Sequence, residues 1–190
     1  MVGSFYRLAA AAAFCSLLAG CAGAPDRDND LADRASSRDS ATMIVPDKPV
    51  SCVPFAREHS GIDIHGDAYT WWDQADGRYA KSNAPSRGAV MVLAGYSGPK
   101  RAHVAVVRRI VSSREIRVDH SNWLNNGAIY LDDPVADISP DNDWSQVLVW
   151  NVLTHAWGVH QYTVEGFIGP GHGAGSDRVA GNAWPVGAGR

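Results

Sequence analysis

Cysteine is scarce in this chain, which carries three among its 190 residues. Cys15 and Cys21 both fall within the first 21 residues, so the remainder of the sequence keeps Cys52 alone. So few cysteines exclude a framework of several disulfides. If the first segment is an export signal, Cys52 enters an oxidising compartment without an intramolecular partner. A thiol that persists unpaired there usually has chemistry to perform.

Long hydrophobic runs and clustered basic residues are lacking as well. The apolar stretch from Leu8 to Leu18 is shorter than the roughly 20 residues that a membrane-spanning helix needs. The formal net charge is −3, and no long run of lysine and arginine is present. Because binding to phosphates requires clustered positive charge, we expect no nucleic-acid partner.

The first 21 residues have the layout of a removable signal peptide, with a positive charge at Arg7 ahead of the apolar stretch. They end in the sequence LAGC, which resembles the lipobox of bacterial lipoproteins and makes Cys21 the acylated first residue of the mature chain. This interpretation anchors the protein by a lipid to the periplasmic face of the bacterial cell envelope. Ala22 follows Cys21 where enterobacterial inner-membrane lipoproteins carry aspartate, which favours the outer membrane. Under the alternative, an ordinary signal peptide, Cys21 remains a thiol that could pair with Cys52.

Composition divides the rest of the chain into three parts. Residues 22–46 are polar and charged with almost no large apolar side chain, which predicts a flexible tether. Residues 47–169 hold the β-branched and aromatic runs and suit one compact domain, for which we expect a monomer. Residues 170–190 are rich in glycine and are predicted to form a disordered tail.

The domain begins with two predicted helices and continues with strands. Residues 52–59 can form a short helix with Ser51 as N-cap and Gly61 beyond its end. Apolar spacings of three and four predict a second helix over residues 67–75. Beyond Pro85, β-branched runs at 88–94, 102–111 and 115–122 indicate strands, the last two forming an antiparallel hairpin, with looser candidates at 129–131, 146–151 and 160–168. Helices followed by an antiparallel sheet predict an α+β domain.

Four polar positions in these elements could form a thiol site. Cys52 opens the first helix, where the helix dipole and a nearby imidazole would stabilise a thiolate. His103 begins one strand of the hairpin, and His120 and Asn122 lie near the end of the other, on a face opposite to Asp119. A nucleophile, a base and an orienting polar group are what covalent acyl transfer requires. Taken singly, Cys52 is more often a small buried side chain, and each histidine more often a surface or core residue; it is their combination that indicates a site.

Four segments carry a family resemblance: residues 51–57 (SCVPFAR), 88–92 (GAVMV), 102–107 (AHVAVV) and 118–123 (VDHSNW). In this order they resemble the motifs of CHAP domains, the cysteine and histidine-dependent amidohydrolases and peptidases. The resemblance implies a papain-like α+β fold, with short N-terminal helices packed on an antiparallel sheet. It also implies cleavage of an amide or peptide bond in peptidoglycan without a cofactor.

Carried over by position, the resemblance makes Cys52 the nucleophile and His103 the general base. The third role falls to His120, with Asn122 beside it and Asp119 as a lesser candidate. His120 stands where CHAP domains commonly have glutamate, although the related NlpC-type peptidases use a histidine in this role. Ser51 stands where an amide donor often precedes the cysteine. These departures keep open a second hypothesis, a catalytically dormant domain of the same fold that binds the cell wall or an envelope partner.

The sequence offers two candidate metal sites, one for calcium and one for zinc, and each has a simpler interpretation. The acidic residues Asp132, Asp133, Asp137, Asp141 and Asp143 lack the alternation and closing glutamate of a calcium-binding loop, which favours a solvated loop. Cys52, His103 and His120 could ligate zinc, but the paired spacing typical of structural zinc sites is missing. We therefore expect no metal.

Overall fold

The computed structural model of the protein describes residues 40–98 and 100–170. The predicted signal peptide with Cys21, most of the predicted tether and nearly all of the glycine-rich tail lie outside the described residues. Within the described part of the chain, none of the helices has the length and hydropathy needed to cross a membrane.

The described residues form nine strands and two short helices. The strands are β1 (Thr42–Ile44), β2 (Lys81–Ser82), β3 (Val90–Ala94), β4 (His103–Ser112), β5 (Glu115–Ser121), β6 (Ile129–Asp137), β7 (Gln146–Asn151), β8 (Ala156–Trp157) and β9 (Tyr162–Ile168). The helices are α1 (Cys52–Ser60) and α2 (Trp71–Gln74), the latter preceded by a 3₁₀ turn at Ala68–Thr70. The second predicted helix is therefore shorter than its apolar spacing indicated.

Six strands close into an antiparallel barrel in the order β3, β4, β5, β6, β7 and β9, because β9 pairs with both β7 and β3. The predicted papain-like α+β fold is wrong. The described chain is mostly β, and its two helices are too short to form a layer of their own. The looser candidate strands near the C-terminus, β6, β7 and β9, complete the barrel, so the sheet has no open face of the kind that an α+β arrangement covers with helices.

Both faces of β3 and of residues 103–107 in β4 are buried, which explains the nearly continuous apolar sequence of these stretches. Alternate residues point into the barrel, among them Met91, Leu93, Ala105 and Val107. The residues between them face outward beneath the helical segment, namely Val90, Val92, Val104 and Val106. Because side chains alternate along a strand, His103 shares the inward face of Ala105 and Val107.

The predicted hairpin of β4 and β5 is confirmed, with Val106 opposite Asp119 and Val107 opposite Val118. The helix that carries Cys52 is also present and packs on the outside of β4. Its C-cap Gly61 has a φ of 71° and donates its N–H to the carbonyl of Arg57 at 3.3 Å, a left-handed end that glycine adopts without strain. Residues 42–44, predicted as part of the tether, pair with β6 and belong to the folded domain.

Candidate active site

A cavity of about 500 Å³ opens at the start of α1. Cys52 and His103 both line it. Cys52 lies on the helix outside the barrel, and His103 is the first residue of the barrel strand β4. The other walls come from the turn before α2, the segment between β3 and β4, and the loop after β5, contributing Gly66, Asp67, Tyr69, Tyr96, Lys100, Arg101, Asn122 and Asn125. The cavity thus brings the predicted nucleophile and base to one solvent-accessible space.

The imidazole of His103 is held by aromatic neighbours and is only 2% exposed. The ring of Trp123 meets it edge-on, with centroids 4.9 Å apart, and the ring of Tyr96 lies 5.6 Å away. The Tyr96 hydroxyl donates to the carbonyl of Trp123. Burial, followed by neighbouring tyrosines, raises the pKa of Tyr96 to about 12, so this hydroxyl stays a donor. Packing of this kind leaves His103 little freedom to rotate.

The two predicted histidines are in direct contact. Nε2 of His103 lies 2.9 Å from Nδ1 of His120, whose ring is 1% exposed. On its other side, Nε2 of His120 lies 2.9 Å from Oδ2 of Asp133, which is fully buried. The three side chains therefore form a continuous polar row that runs from the cavity into the barrel. Since Nε2 of His103 is engaged, Nδ1 is the ring nitrogen left for the cavity side.

Burial dominates the electrostatics of this row. It raises the pKa of the Cys52 thiol, against the lowering effects of the Val104 and Val53 backbone N–H groups and of Arg101. Burial, and then the proximity of His120, hold the pKa of His103 well below its ordinary value. The resting pair is consequently a neutral thiol and a neutral imidazole. Thiolate forms when a base removes the proton, and the Val104 and Val53 N–H groups then stabilise the sulfur charge.

The remaining predicted residues take other places. Asn122 lines the cavity, but its Oδ1 accepts from the N–H of Gly127 at 2.8 Å and so shapes the loop after β5. Asp119 lies on the outward face of β5, where Arg108 Nη1 donates to its Oδ2 at 2.9 Å. The structure therefore brings Cys52, His103 and His120 together and leaves Asp119 on the opposite side of the sheet. The catalytic roles of Cys52, His103 and His120 stay a prediction.

The entry to α1 is tied to the loop that follows β5. The N–H of Val50 donates to the carbonyl of Gly127 at 3.0 Å. A Cβ atom at Gly127, whose φ is 69°, would stand 2.4 Å from the Cβ of Pro49. This close backbone approach holds the segment that leads into Cys52 against the loop between β5 and β6, which also contains Trp123.

Asp133 is the member of the row that sequence reasoning missed. It appeared there only among acidic residues weighed for calcium, because nothing in its local sequence indicates that its side chain points inward. Two other acidic residues of that group are bound within the protein: Asp132 to Arg109 at 2.9 Å, and Asp137 to the Ser139 hydroxyl at 2.6 Å. Within residues 40–98 and 100–170, no three His, Cys, Asp or Glu side chains are grouped so as to hold a metal ion.

Comparison with known protein families gives a match for the segment that carries the site. No curated protein sequence matches the chain. The family model of the CHAP domain matches residues 45–122, a segment that begins ahead of α1 and ends after β5. It includes Cys52, His103 and His120, whereas Asp133 lies beyond it. CHAP domains are typically cysteine- and histidine-dependent amidohydrolases, which indicates in general a peptidoglycan hydrolase type of function. The resemblance predicted from four sequence motifs is thus confirmed, since residues 45–122 match the CHAP domain model.

Proposed function

We propose that the protein is a thiol hydrolase that cleaves an amide or peptide bond of peptidoglycan, as an amidase or endopeptidase. The observation that carries the proposal is the 2.9 Å contact between His103 Nε2 and His120 Nδ1 at a cavity that Cys52 also lines. A base oriented by a third group next to a nucleophile is the arrangement that covalent acyl transfer uses.

The reaction begins with transfer of the Cys52 proton to Nδ1 of His103. The sulfur attacks the carbonyl carbon of the scissile bond and forms a tetrahedral intermediate. Its oxyanion lies at the start of α1, where the backbone N–H groups of the first helical turn have no partner within the helix. When the C–N bond breaks, His103 returns the proton to the leaving amine. Water then attacks the thioester, with His103 again as base, and releases the free thiol and a carboxylate.

The location of the protein is part of the proposal. A lipid on Cys21 would hold the domain at the periplasmic face of the envelope, in the outer membrane. Roughly 20 residues of tether ahead of β1 would give a mean separation of about 22 Å. The same tether reaches about 68 Å when stretched. This places peptidoglycan within range of the cavity.

The experiment is digestion of purified sacculi by the full chain in detergent, with mass spectrometry of the released fragments. We expect wild type to release soluble muropeptides and Cys52→Ser to lose at least about 10³-fold in rate. The Cys52→Ser variant should still sediment with sacculi, which separates loss of chemistry from loss of binding. Release of the same fragments by both proteins would contradict the proposed nucleophile.

A second candidate function is a dormant domain that binds peptidoglycan. The observation that favours it is the raised pKa of Cys52 beside the lowered pKa of His103, since this pair carries no preformed thiolate. Iodoacetamide labelling distinguishes the two. In an active site, the alkylation rate of Cys52 falls when His103 is replaced by alanine, whereas in a dormant site it does not depend on that residue.

A further inference from the structure

The buried carboxylate of Asp133 ends the row of polar side chains that starts at the cavity. Its Oδ2 lies 2.9 Å from Nε2 of His120, and the residue has no exposed surface. Its second oxygen, Oδ1, has no hydrogen-bond partner among the residues that the structure describes. A buried carboxylate with one orphaned oxygen is costly to keep, which calls for an account of its presence.

We propose that Asp133 is a positioning residue that fixes the tautomers of His120 and His103, so that Nδ1 of His103 is left unprotonated towards the cavity. The catalytic consequence of this assignment rests on the proposed function, but the assignment of the protons does not.

The tautomers follow from donor and acceptor roles along the row. A carboxylate only accepts hydrogen bonds, so Nε2 of His120 must carry a proton towards Oδ2 of Asp133. A His120 ring that carries this single proton has a bare Nδ1, which can only accept. Nε2 of His103, 2.9 Å from that atom, must therefore be the donor. The neutral His103 ring is left with a bare Nδ1, which is the form that can remove a proton from Cys52.

A bulge in β6 is what turns Asp133 inward. Val118 pairs with Asp133 and His120 pairs with Tyr130, so one residue of β5 stands opposite two of β6. Asp132 takes a φ of 54° within this bulge. Tyr130 and Asp133 therefore both face the barrel interior although they are three residues apart, which regular alternation forbids.

The bulge is secured from the outside of the barrel by ionic contacts. The backbone N–H of Asp132 donates to Oδ1 of Asp119 at 2.8 Å. Nε and Nη2 of Arg109 donate to the two carboxylate oxygens of Asp132, each at 2.9 Å. Bidentate pairs of this kind fix geometry as well as charge. The outward residues thus hold the backbone in the shape that puts Asp133 next to His120.

Burial and neighbouring charges set the pKa of Asp133. The titratable or charged groups around it are His120 and Arg117 on β5, and Asp132 and Tyr130 on β6. Burial raises the pKa of Asp133, while the contact with His120 and the charge of Arg117 lower it. Once protonated, Asp133 would donate to His120 and reverse both tautomers. Turnover should therefore fall in acid with an apparent pKa above that of an ordinary aspartate.

The decisive test is the nitrogen spectrum of the histidine rings. In the full chain labelled with ¹⁵N-histidine, long-range proton–nitrogen NMR at pH 7.5 should show protonated Nε2 and bare Nδ1 for both His103 and His120, assigned with His103→Gln and His120→Gln. A proton on Nδ1 of either ring in the wild type would overturn the proposal. This result needs no substrate and does not depend on the stability of any Asp133 variant.

Asp133→Asn then tests the cause. The amide oxygen is attracted to the positive charge of Arg117, which turns the NH₂ group to His120 and reverses the tautomers. We expect both Nδ1 signals to become protonated and kcat on sacculi to fall about 100-fold, with KM within about threefold of wild type. Unchanged tautomers in a folded Asp133→Asn protein would overturn the proposal.

Asp137→Asn is the matched control, because Asp137 is a buried carboxylate of the same strand that binds Ser139 away from the cavity. We expect wild-type ring signals and turnover. Equal effects of the two substitutions would reduce Asp133 to a structural residue and overturn the proposal. If the wild-type spectrum is as expected but sacculi are not cleaved, the proposed function fails and the tautomer assignment stands.

Discussion

The β4–β6 part of the barrel wall carries two polar clusters on opposite faces, and they differ in how their charges are compensated. On the outside, Arg108 and Arg109 bind Asp119 and Asp132 through direct ion pairs at 2.9 Å, and the arginines remain partly exposed. Inside, the imidazole of His120 is the one hydrogen-bond partner that the carboxylate of Asp133 has among the described residues.

This difference separates a structural cluster from one that we propose to be reactive. On the outside, and against the raising effect of burial, the hydrogen bond from Arg109 lowers the pKa of Asp132, so this ion pair favours the charged forms and mainly holds the bulge in place. Inside, burial shifts the pKa values of His103, Cys52 and Asp133 towards their neutral forms, and buried groups of this kind in a cleft are candidates for proton transfer. The comparison predicts that inner substitutions change turnover and that outer ones change stability.

The largest effect is expected from removing the base. His103→Ala should lower kcat on sacculi by about 10³-fold, within the range for loss of a general base. The rate of iodoacetamide alkylation of Cys52 should fall as well, because His103 is the proposed acceptor of the thiol proton. Measured rates equal to wild type would show that the inner cluster does not act on the sulfur.

Next in size is the contrast between His120 and Asp119, neighbours in sequence that face opposite sides of the wall. His120→Ala should reduce kcat about 100-fold because His103 loses its orienting partner. Asp119→Ala should reduce kcat less and act mainly on the free energy of unfolding, by about 1–3 kcal/mol, since it leaves the N–H of Asp132 without its acceptor. Parallel kinetics and urea unfolding measure both, and the reverse order for kcat would contradict the assignment of faces.

A smaller effect concerns acid stability. Burial and the proximity of His120 lower the pKa of His103 from its ordinary 6.5. Below that pH the unfolded chain binds a proton there that the folded chain rejects, so stability present above pH 6.5 is lost as the pH falls. Between pH 6.5 and 5.5, the free energy of unfolding of wild type should drop by up to about 1 kcal/mol more than that of His103→Gln. Identical pH slopes in urea unfolding would argue against a neutral buried ring.

The smallest effect is expected on the outer face. Arg109→Ala removes a bidentate pair whose arginine is 42% exposed, so the free energy of unfolding should fall by no more than about 1 kcal/mol. Added salt should shrink the difference from wild type, since the pair is screened. A loss that does not vary with salt would indicate that packing of the arginine stem, and not its charge, accounts for the change.

Local pattern revealed much of the candidate site. The helix at Cys52 and the alternation that puts His103 and His120 on one face follow from short-range rules, and the hairpin follows from its turn. The barrel did not follow, because its closure depends on β9 pairing with both β3 and β7 across long stretches of sequence. Asp133 was not predicted for a different reason. The bulge at Asp132 breaks the regular alternation of side chains, from which the inward orientation of Asp133 would otherwise have followed.

The contact between Gly127 and Pro49 makes the sulfur-to-imidazole distance a property of backbone packing. A side chain at position 127 would act as a wedge between this loop and the segment that leads into Cys52. The alignment of the proposed nucleophile with His103 therefore depends on a backbone contact that includes no ionisable group.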